Sequence, residues 1–449
     1  MRPTAIARSS ATRASTGAHR RSSRAFSGQP GRTKRCAGGW ARRRGRGLRN
    51  STTGSRSRRG TWSCASARLR DLSVGLDASV IFTSVGGTRV YATQLLNSLL
   101  EARPSWTFFL YTRNQNQATA IEKQFTGDGV RSISVPGSPN VWRVQARLPR
   151  RLRADRVDVY HSLGFFLPLR WPGPKVVTIH DLNMYMNWRS WMRPRTLTSW
   201  ADLVLETPLA AASSDRILTD SEFSKASICR LLRVTQEKVV VVPLAPDDFF
   251  DQAPSVDDLA AARKLTGVGE FVLSVGVLAP QKNLQTVIRA FAASGINARG
   301  ARLLLAGSDR AGYANTLRAV ARESGVEDGV LMPGFVSREI LRALYHEALC
   351  VVLASHGEGF GLPLVEAMAC GAPVVAANRQ SLPEVVGDAG VLFEPSDVDA
   401  LASALRRMHE EPGFRSELSE RGRRRRSQFS WRAAAEATAA IYEELATRR

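Results

Sequence analysis

Two glutamates, Glu358 and Glu366, lie eight positions apart in the stretch SHGEGFGLPLVEAMACGAPVV, residues 355–375. The glycines between them allow backbone amides to approach a ligand closely. The part LPLVEAM is predicted to start a helix, whose amino terminus favours an anion. A nucleotide-diphospho-sugar fits this chemistry, because its diphosphate can take the amides while its hydroxyl groups take the carboxylates.

A structural role for both glutamates is also open. The stretch LCVVLAS before the loop is typical of a buried strand, Pro363 suits the first turn of a helix, and Gly371 is suited to end it. Glu366 would then only stabilise that first turn, and Glu358 would be a solvated loop charge. In either interpretation both carboxylates follow the carboxyl end of a strand.

Strand-like and helix-like segments alternate along most of the chain. In the first half the predicted strands are LSVGLDASV from Leu72, FFLYT, RSISVP, VDVYHS and KVVTIHDL; in the second half they are FVLSVGVL, ARLLLAGS, GVLMPGFV, LCVVLAS and APVVAA. Strands that alternate with helices indicate a parallel sheet covered on both faces. We therefore predict an α/β protein with two Rossmann-like domains whose parallel sheets face a central cleft, where ligands usually bind.

The chain of 449 residues exceeds the size at which a single core usually splits into domains. The predicted segments are a disordered Arg/Ser-rich extension at 1–70, an N-terminal acceptor domain at 71–248, a linker at 249–268, a C-terminal donor-nucleotide domain at 269–430 and a cross-over helix at 431–449.

The formal net charge of +23 is concentrated at one end. Residues 1–70 hold eighteen Arg, one Lys and no Asp or Glu, so the remaining 379 residues carry 44 basic and 40 acidic side chains, an ordinary balance. Three explanations of this extension stay open: an over-extended start codon, a transit-like or anion-binding segment, and a nucleic-acid-binding arm. Specific nucleic-acid binding is not expected of the remainder.

The rest of the composition favours a cytoplasmic protein. The sequence contains no run of 18 apolar residues and no charged start followed by an apolar signal core. Its five cysteines, an odd number, form no CxxC pair and are expected to be reduced and mostly structural.

Several motifs together resemble those of family 4 (group 1) retaining glycosyltransferases of the GT-B fold, from about residue 72 to the end. The motifs are SVGGTRVY, DVYHS, VVTIHDL, LTDSEFSK, VLSVGVLAPQKNL, LMPGFVS, EGFGLPLVEAMACGAPVV and LPEVVGDAG. The resemblance implies a C-terminal helix that returns to the N-terminal domain.

The resemblance assigns roles to residues in the second half. Glu358 would contact the hydroxyl groups of the donor sugar, helped by the amides of Phe360 and Gly361. Glu366 would bind the ribose. Lys282 would neutralise the donor diphosphate and the charge that develops on the leaving group; an exposed lysine at a helix start is the alternative.

In the first half, the resemblance places the turn at Gly86 and Gly87 near the donor phosphates and sugar. It places His180 near the reacting centre, so His180 and Glu358 are the predicted catalytic pair. An ordinary tight turn and a satisfied core histidine remain the alternatives. Asp181 would orient His180 or cap the next segment.

Two further segments have predicted positions. Ser221 is predicted to be a helix N-cap. A hairpin at 334–336, including Val336, would lie beside the donor base. Gln281 replaces a frequent arginine of the family, which removes one possible cation from the diphosphate site.

The chemistry implied is transfer of a hexose with retention, by a front-face substitution in which the departing phosphate helps to deprotonate the incoming hydroxyl. The protein would supply positioning and electrostatics. No DxD-type metal motif lies beside the donor site, so neither a metal nor a cofactor is implied. The expected donor is GDP-mannose or a UDP-sugar, with mannose preferred, and the expected acceptor is a glycan or a lipid-linked oligosaccharide.

The segment 141–158 concentrates basic side chains on a predicted helix near the acceptor side. They are Arg143, Arg147, Arg150, Arg151, Arg153 and Arg156. Such a helix either docks peripherally on the inner face of an anionic membrane or presents a solvated face above a packed one.

Three other functions are alternatives to a transferase. A sugar-nucleotide epimerase shares the fold but does not explain the spacing of Glu358 and Glu366 with QKN. A nucleic-acid-binding protein would act through the basic extension, and a non-catalytic sugar-nucleotide sensor would bind the donor without turnover.

Overall fold

Two parallel sheets form the framework of the molecule. In the first sheet the strands are β1 (Ser73–Asp77), β2 (Thr107–Thr112), β3 (Val130–Ser134), β4 (Val159–Ser162), β5 (Lys175–Thr178), β6 (Arg216–Thr219) and β7 (Val239–Val241), in the order β3-β2-β1-β4-β5-β6-β7. In the second they are β8 (Phe271–Val275), β9 (Arg302–Ala306), β10 (Val330–Gly334), β11 (Cys350–Leu353), β12 (Val374–Ala377) and β13 (Gly390–Phe393), in the order β10-β9-β8-β11-β12-β13.

Helices connect successive strands. In the first half they span Val80–Thr83, Gly87–Ala102, Gln115–Gln124, Asn140–Trp142, Leu148–Ala154, Asn183–Met186 and Glu222–Leu232, with a π-helical segment at Arg143–Arg147. In the second half they span Val256–Thr266, Leu284–Ser294, Tyr313–Glu323, Arg338–Glu347, Leu362–Ala369, Leu382–Val386, Val398–Glu410, Pro412–Arg426 and Trp431–Thr447. Short 3-10 turns occupy Gln236–Lys238, Asp248–Asp251, Pro280–Lys282, Ile296–Arg299 and Glu327–Gly329.

This computed structural model describes residues 71–83, 86–137, 140–164, 166–186, 206–267, 269–309 and 312–448. The predicted disordered extension at 1–70 lies outside the described residues. Arg68–Arg449 form one compact unit. The predicted linker at 249–268 contains the helix Val256–Thr266, which Ser255 starts with a capping box.

The predicted fold class is confirmed by the two sheets. Their central strands are apolar runs covered on both faces; for example, all four residues of β11 are buried. Cys350, in β11, and Cys370 are buried free thiols, and Cys229 is a partly buried one, as the sequence predicts. Among residues 71–448 that the structure describes, none of the helices has both the length and the hydrophobicity needed to cross a membrane.

The last helix, Trp431–Thr447, returns to the first half of the molecule as predicted. Its Tyr442 hydroxyl lies 2.6 Å from His161 Nδ1 on β4, and the other ring nitrogen of His161 lies 2.8 Å from Thr178 Oγ1. Burial, with a smaller effect from His180, lowers the pKa of His161 to about 3, so this imidazole is neutral. Ion pairs from Arg103 to Glu436 and Glu443 hold the same helix at the surface.

Two predictions about local structure are wrong. The segment at 334–336 is not a hairpin, because β10 ends at Gly334, which has a φ of 82°, and a helix starts at Arg338. Arg143 does not belong to a solvated arginine face, because its side chain is 0% exposed and pairs with Asp77. The arginines at positions 147, 150, 151, 153 and 156 are exposed.

The Tyr442 hydroxyl is expected to stabilise the attachment of the last helix. Tyr442→Phe leaves the buried His161 Nδ1 without its partner, which should lower the free energy of unfolding by about 1–3 kcal/mol. Urea unfolding checks this. Tyr313→Phe is the matched control, since Tyr313 is half-buried and water can replace its bond from Gln285, so the change should stay within about 0.5 kcal/mol. Equal losses in the two variants would contradict the assignment.

Candidate functional site

Lys282 and Glu358 form the centre of the site in the second half of the molecule. Lys282 ends the 3-10 turn after β8, and Glu358 lies in the loop after β11. Because β8 and β11 are neighbours in a parallel sheet, their carboxyl ends bring both residues together. Lys282 Nζ lies 2.5 Å from Glu358 Oε1, which also accepts a hydrogen bond from Ser355 Oγ at 2.6 Å. Both charged side chains are partly exposed, so the pair is accessible to a ligand.

The loop that carries Glu358 is fixed through its backbone. Ser381 Oγ donates to the carbonyl oxygen of Glu358 at 2.8 Å and to that of Phe360 at 3.2 Å. Gly361 then has a φ of 105°, and a Cβ there would lie 2.8 Å from Leu382 Cδ2. Glycine is therefore required at 361 to turn the chain into the helix Leu362–Ala369. Phe360 is itself buried, so only its backbone can face a ligand.

Glu366 lies on that helix but does not join the Lys282–Glu358 pair. Its Oε2 accepts a hydrogen bond from the Tyr345 hydroxyl at 3.0 Å. Burial raises the pKa of Glu366 to about 7, so near neutral pH the carboxyl can both accept and donate hydrogen bonds. The two predicted glutamates therefore have different partners: Glu358, in the loop, pairs with Lys282, and Glu366, on the helix, accepts from Tyr345.

In the first half, His180 is held by a residue that the sequence analysis missed. His180 follows β5, and its Nδ1 lies 2.8 Å and 3.1 Å from the two carboxylate oxygens of Asp220, which follows β6. The last pair in register is Thr178 with Leu218, and His180 and Asp220 each lie two residues further along the chain. Asp181 instead caps the next segment, since its Oδ1 accepts from the Asn183 amide at 2.8 Å. A carboxylate at the end of the strand-like run RILTD is the signal that could have identified Asp220.

The charge state of His180 reflects two opposing effects. Burial disfavours the protonated imidazole, but the Asp220 carboxylate outweighs burial, with help from Asp181, and the pKa of His180 is raised. The Tyr91 ring packs edge-on against the imidazole, with ring centroids 4.7 Å apart. His180 Nε2 is shielded from solvent and has no hydrogen-bond partner among the residues that the structure describes. Asp220 therefore fixes the ring and leaves Nε2 for another group.

The two halves of the site meet at Gly359. Its carbonyl oxygen accepts a hydrogen bond from Ser221 Oγ at 2.9 Å, and Ser221 also caps the helix Glu222–Leu232, as predicted. A Cβ at Gly359 would lie 3.1 Å from the His180 carbonyl oxygen and 3.0 Å from Asp181 Oδ2. The Glu358 loop and the His180 segment are therefore in direct contact, and the predicted catalytic residues belong to one site.

The predicted glycine turn also reaches the second half. Gly86 has a φ of 67° and precedes the helix Gly87–Ala102. A Cβ at Gly87 would lie 3.4 Å from Leu362 Cδ1, so the start of this helix lies against the start of the helix that carries Glu366. Ser84 and Val85 of the same turn lie outside the described residues.

Val336 lies in the turn between β10 and the helix that starts at Arg338. It packs against the hydrophobic core, whereas its neighbour Phe335 is 83% exposed. The structure therefore offers an exposed aromatic ring at this turn, which the sequence analysis did not single out.

Asp220 is expected to set the protonation of His180. In Asp220→Asn the burial of the imidazole remains but the carboxylate is lost, so the pKa of His180 should fall. A pH titration of the His180 ring signals by NMR measures it. Asp181→Asn serves as the comparison and should lower the pKa less, since Asp181 contributes less. An unchanged His180 pKa in Asp220→Asn would contradict this assignment.

Known proteins resemble this chain in both sequence and fold. The chain is 32% identical over 289 residues to the O-antigen chain mannosyltransferase B of Escherichia coli, covering 63% of this chain and 74% of the relative. It is 29% identical to the D-inositol 3-phosphate glycosyltransferase of Kineococcus radiotolerans, covering 80% and 90%. The sucrose-phosphate synthase of Thermosynechococcus elongatus superposes with a TM-score of 0.66 at 21% identity, covering 85% and 100%, and shares the predicted GT-B fold.

Two family models match the two halves of the molecule in turn. The Glycosyltransferase Family 4 model matches residues 85–248, which carry β2–β7 and His180. The model for Glycosyl transferases group 1 matches residues 258–425, which carry β8–β13, Lys282 and Glu358. The chain therefore belongs to the group 1, family 4 glycosyltransferases.

Proposed function

We propose that this glycosyltransferase transfers a hexose, with retention, from a nucleotide-diphospho-sugar to a hydroxyl group of a glycan or a lipid-linked acceptor. The observation that carries the proposal is the contact at Gly359 between the two segments that carry two charged pairs. Lys282 and Glu358 lie on one side, and His180 with Asp220 lies on the other.

Lys282 is the group proposed to bind the donor diphosphate. Its ammonium is partly exposed and already neutralised by Glu358, so a diphosphate would compete with that carboxylate for the cation. Once released, Glu358 can accept hydrogen bonds from the hydroxyl groups of the donor sugar. Because one fixed cation stabilises the charge that develops on the leaving phosphate, the proposal needs no metal ion.

His180 and the backbone around Gly359 are proposed to position the transferred sugar. Asp220 holds Nδ1, so Nε2 is the atom of His180 left to contact the sugar. These two preorganised sets of groups hold the donor and the acceptor in place. The leaving phosphate can then take the proton of the incoming hydroxyl, which attacks the sugar carbon from the face that the phosphate leaves. The carbon–oxygen bond to phosphate breaks as the bond to the acceptor oxygen forms.

Mannose is the preferred sugar in this proposal. The mannosyltransferase relative of Escherichia coli supports that choice. GDP-mannose is therefore the first donor to test, with UDP-sugars next, and Glu366 is the residue proposed to bind the ribose. Its half-buried carboxyl, with one oxygen bonded to Tyr345, leaves the other oxygen for a ribose hydroxyl.

Donor binding should depend on Lys282. We expect GDP to raise the Tm of the full-length chain, and Lys282→Met to weaken GDP binding by about 10- to 100-fold, the usual worth of a hydrogen bond to a charged group. Calorimetric titration with GDP, UDP and ADP measures the affinity, and radiolabelled GDP-mannose with EDTA present measures transfer.

Lys264→Met is the matched control for this experiment. Lys264 is exposed on the helix Val256–Thr266 of the same half, so its loss should leave the GDP affinity unchanged. Absence of binding by every nucleotide to a folded sample would refute the proposed donor site. If EDTA abolishes transfer, only the proposal that the reaction needs no metal ion is refuted.

A cytoplasmic location with peripheral membrane contact is part of the proposal. Trp142 is 57% exposed, and the exposed arginines at 147, 150, 151 and 153 follow it on the next helical segments, a combination that suits an anionic bilayer surface. The free buried thiols Cys350 and Cys370 suit a reducing compartment.

Trp142 is expected to contribute to membrane binding. Co-sedimentation with vesicles that contain anionic phospholipid should fall several-fold in Trp142→Ser, because the indole can no longer insert among the headgroups. Val256→Ser, on a helix of the other half and also exposed, provides the control and should bind like the unmodified chain. Equal binding of all three proteins would contradict this surface.

A further inference from the structure

A second polar cluster lies at the carboxyl edge of the first sheet, apart from the Lys282–Glu358 and His180–Asp220 pairs. Asp77 ends β1, Arg113 directly follows β2, and Asn140 and Arg143 follow β3. Tyr160 on β4 completes the cluster. None of these residues was given a role by the family motifs.

Asp77 and Arg143 form the core of the cluster. Arg143 Nη2 lies 3.3 Å from Asp77 Oδ2, and the side chains are 0% and 4% exposed. The second oxygen of Asp77 is already used, because Oδ1 accepts from the Ser79 amide at 3.0 Å and from Ser79 Oγ at 2.6 Å. Arg143 Nε donates to Asn140 Oδ1 at 3.0 Å. The carboxylate therefore has little capacity left for further donors.

Four shielded polar atoms of the cluster lack a hydrogen-bond partner within the described part of the chain. They are Arg113 Nε, Asn140 Nδ2, Arg143 Nη1 and Tyr160 Oη. Three are N–H donors that cannot accept, and the fourth is a hydroxyl that can donate. Each unsatisfied group costs about 1–3 kcal/mol. A site whose unpartnered polar atoms can all donate is chemically suited to an anion with several oxygens.

The balance of charge leads to the same ligand class. Two guanidinium groups share one carboxylate, so the cluster has one positive charge in excess. Burial lowers the pKa of Arg113, Asp77 opposes that effect, and the positive charge of Arg143 adds to it. Arg143 also begins the π-helical segment Arg143–Arg147, a rare distortion that is often found at functional sites.

The position of the cluster relates it to the transfer site. The order β1-β4-β5 places the strand of Asp77 two strands from that of His180, which is about 10 Å at the usual spacing. Both residues lie at the carboxyl edge of the same sheet. That separation matches the length of one or two sugar units.

We propose that the cluster of Asp77, Arg113, Asn140, Arg143 and Tyr160 binds an anionic group of the acceptor, a phosphate or a carboxylate, about one or two sugar units from the hydroxyl that is glycosylated. This inference rests on the proposed function, because it assigns the acceptor class of the same site. Arg113 and Asn140 are partly exposed and form its rim. Arg143 and Tyr160, both wholly buried, form its floor.

A titration with inorganic phosphate tests the site without relying on catalysis. The full-length chain carries Lys282→Met, so that phosphate does not bind at the donor lysine. Isothermal titration should show phosphate binding, and adding Tyr160→Phe should weaken it by about tenfold, as expected for a lost hydrogen bond to a charged group. Thermal unfolding without phosphate should be unchanged or slightly higher in Tyr160→Phe, because the hydroxyl that is removed has no described partner.

Tyr111→Phe is the matched control. The Tyr111 ring packs 6.4 Å from that of Tyr160, but its hydroxyl donates to Asp155 outside the cluster. This variant should lose stability and keep its phosphate affinity. If the cluster is only structural, phosphate should not bind, or it should bind with equal affinity to the Tyr160→Phe and Tyr111→Phe variants. Either result would overturn the inference.

A transfer assay identifies the source of the anion. With Lys282 restored, kcat/KM is compared for a neutral mannoside, its phosphate monoester and its uronate analogue. The anionic acceptor that fits should be favoured by about tenfold, and Tyr160→Phe should reduce that ratio. Transfer to all three acceptors at equal efficiency would overturn the inference and leave the proposed function intact. Phosphate binding without transfer to any acceptor would contradict the proposed function instead.

Discussion

The absence of a side chain at Gly359 is the constraint on which the geometry of the site depends. A Cβ at Gly359 would lie only 3.1 Å from the His180 carbonyl oxygen, so glycine permits this close approach while its own carbonyl accepts the Ser221 hydroxyl. The same junction is reinforced by the Glu384 carboxylate, which accepts from the first backbone amides of the helix Glu222–Leu232. A negative charge at a helix amino terminus is favourable, so the contact between the halves is electrostatic as well as steric.

The charged pairs around this junction differ in how readily a ligand can replace one of the two partners. Lys282 and Glu358 are partly exposed, so the cost of separating them is modest and a diphosphate can take the place of the carboxylate. His180 and Asp220 are more shielded, which suits a pair that keeps one orientation. Arg143 is wholly buried with its carboxylate, and breaking such a pair is costly, so a ligand there would add to the pair rather than replace it.

The last two helices form hydrogen bonds to elements in both halves of the molecule. Arg425 donates to the carbonyl oxygens of Glu384 and Val385, and so supports the short helix whose carboxylate reaches the other half. Tyr442 then fixes the final helix to His161, one strand away from the strand that precedes His180. Because His161 is neutral and both its ring nitrogens have partners, this attachment adds no charge beneath the site.

The sequence alone determined the alternation of strands and helices, the glycine turns and the positions of Lys282 and Glu358, because periodicity, turn chemistry and local motifs act over short stretches of chain. It misplaced Arg143 on a solvated face and missed Asp220. Both depend on which strands are neighbours: Asp220 reaches His180 only because β5 and β6 pair in register, and Arg143 is buried only because its helix folds over Asp77 at the end of β1. Contacts between residues 40 and 66 positions apart are decided by tertiary packing, which no local pattern encodes.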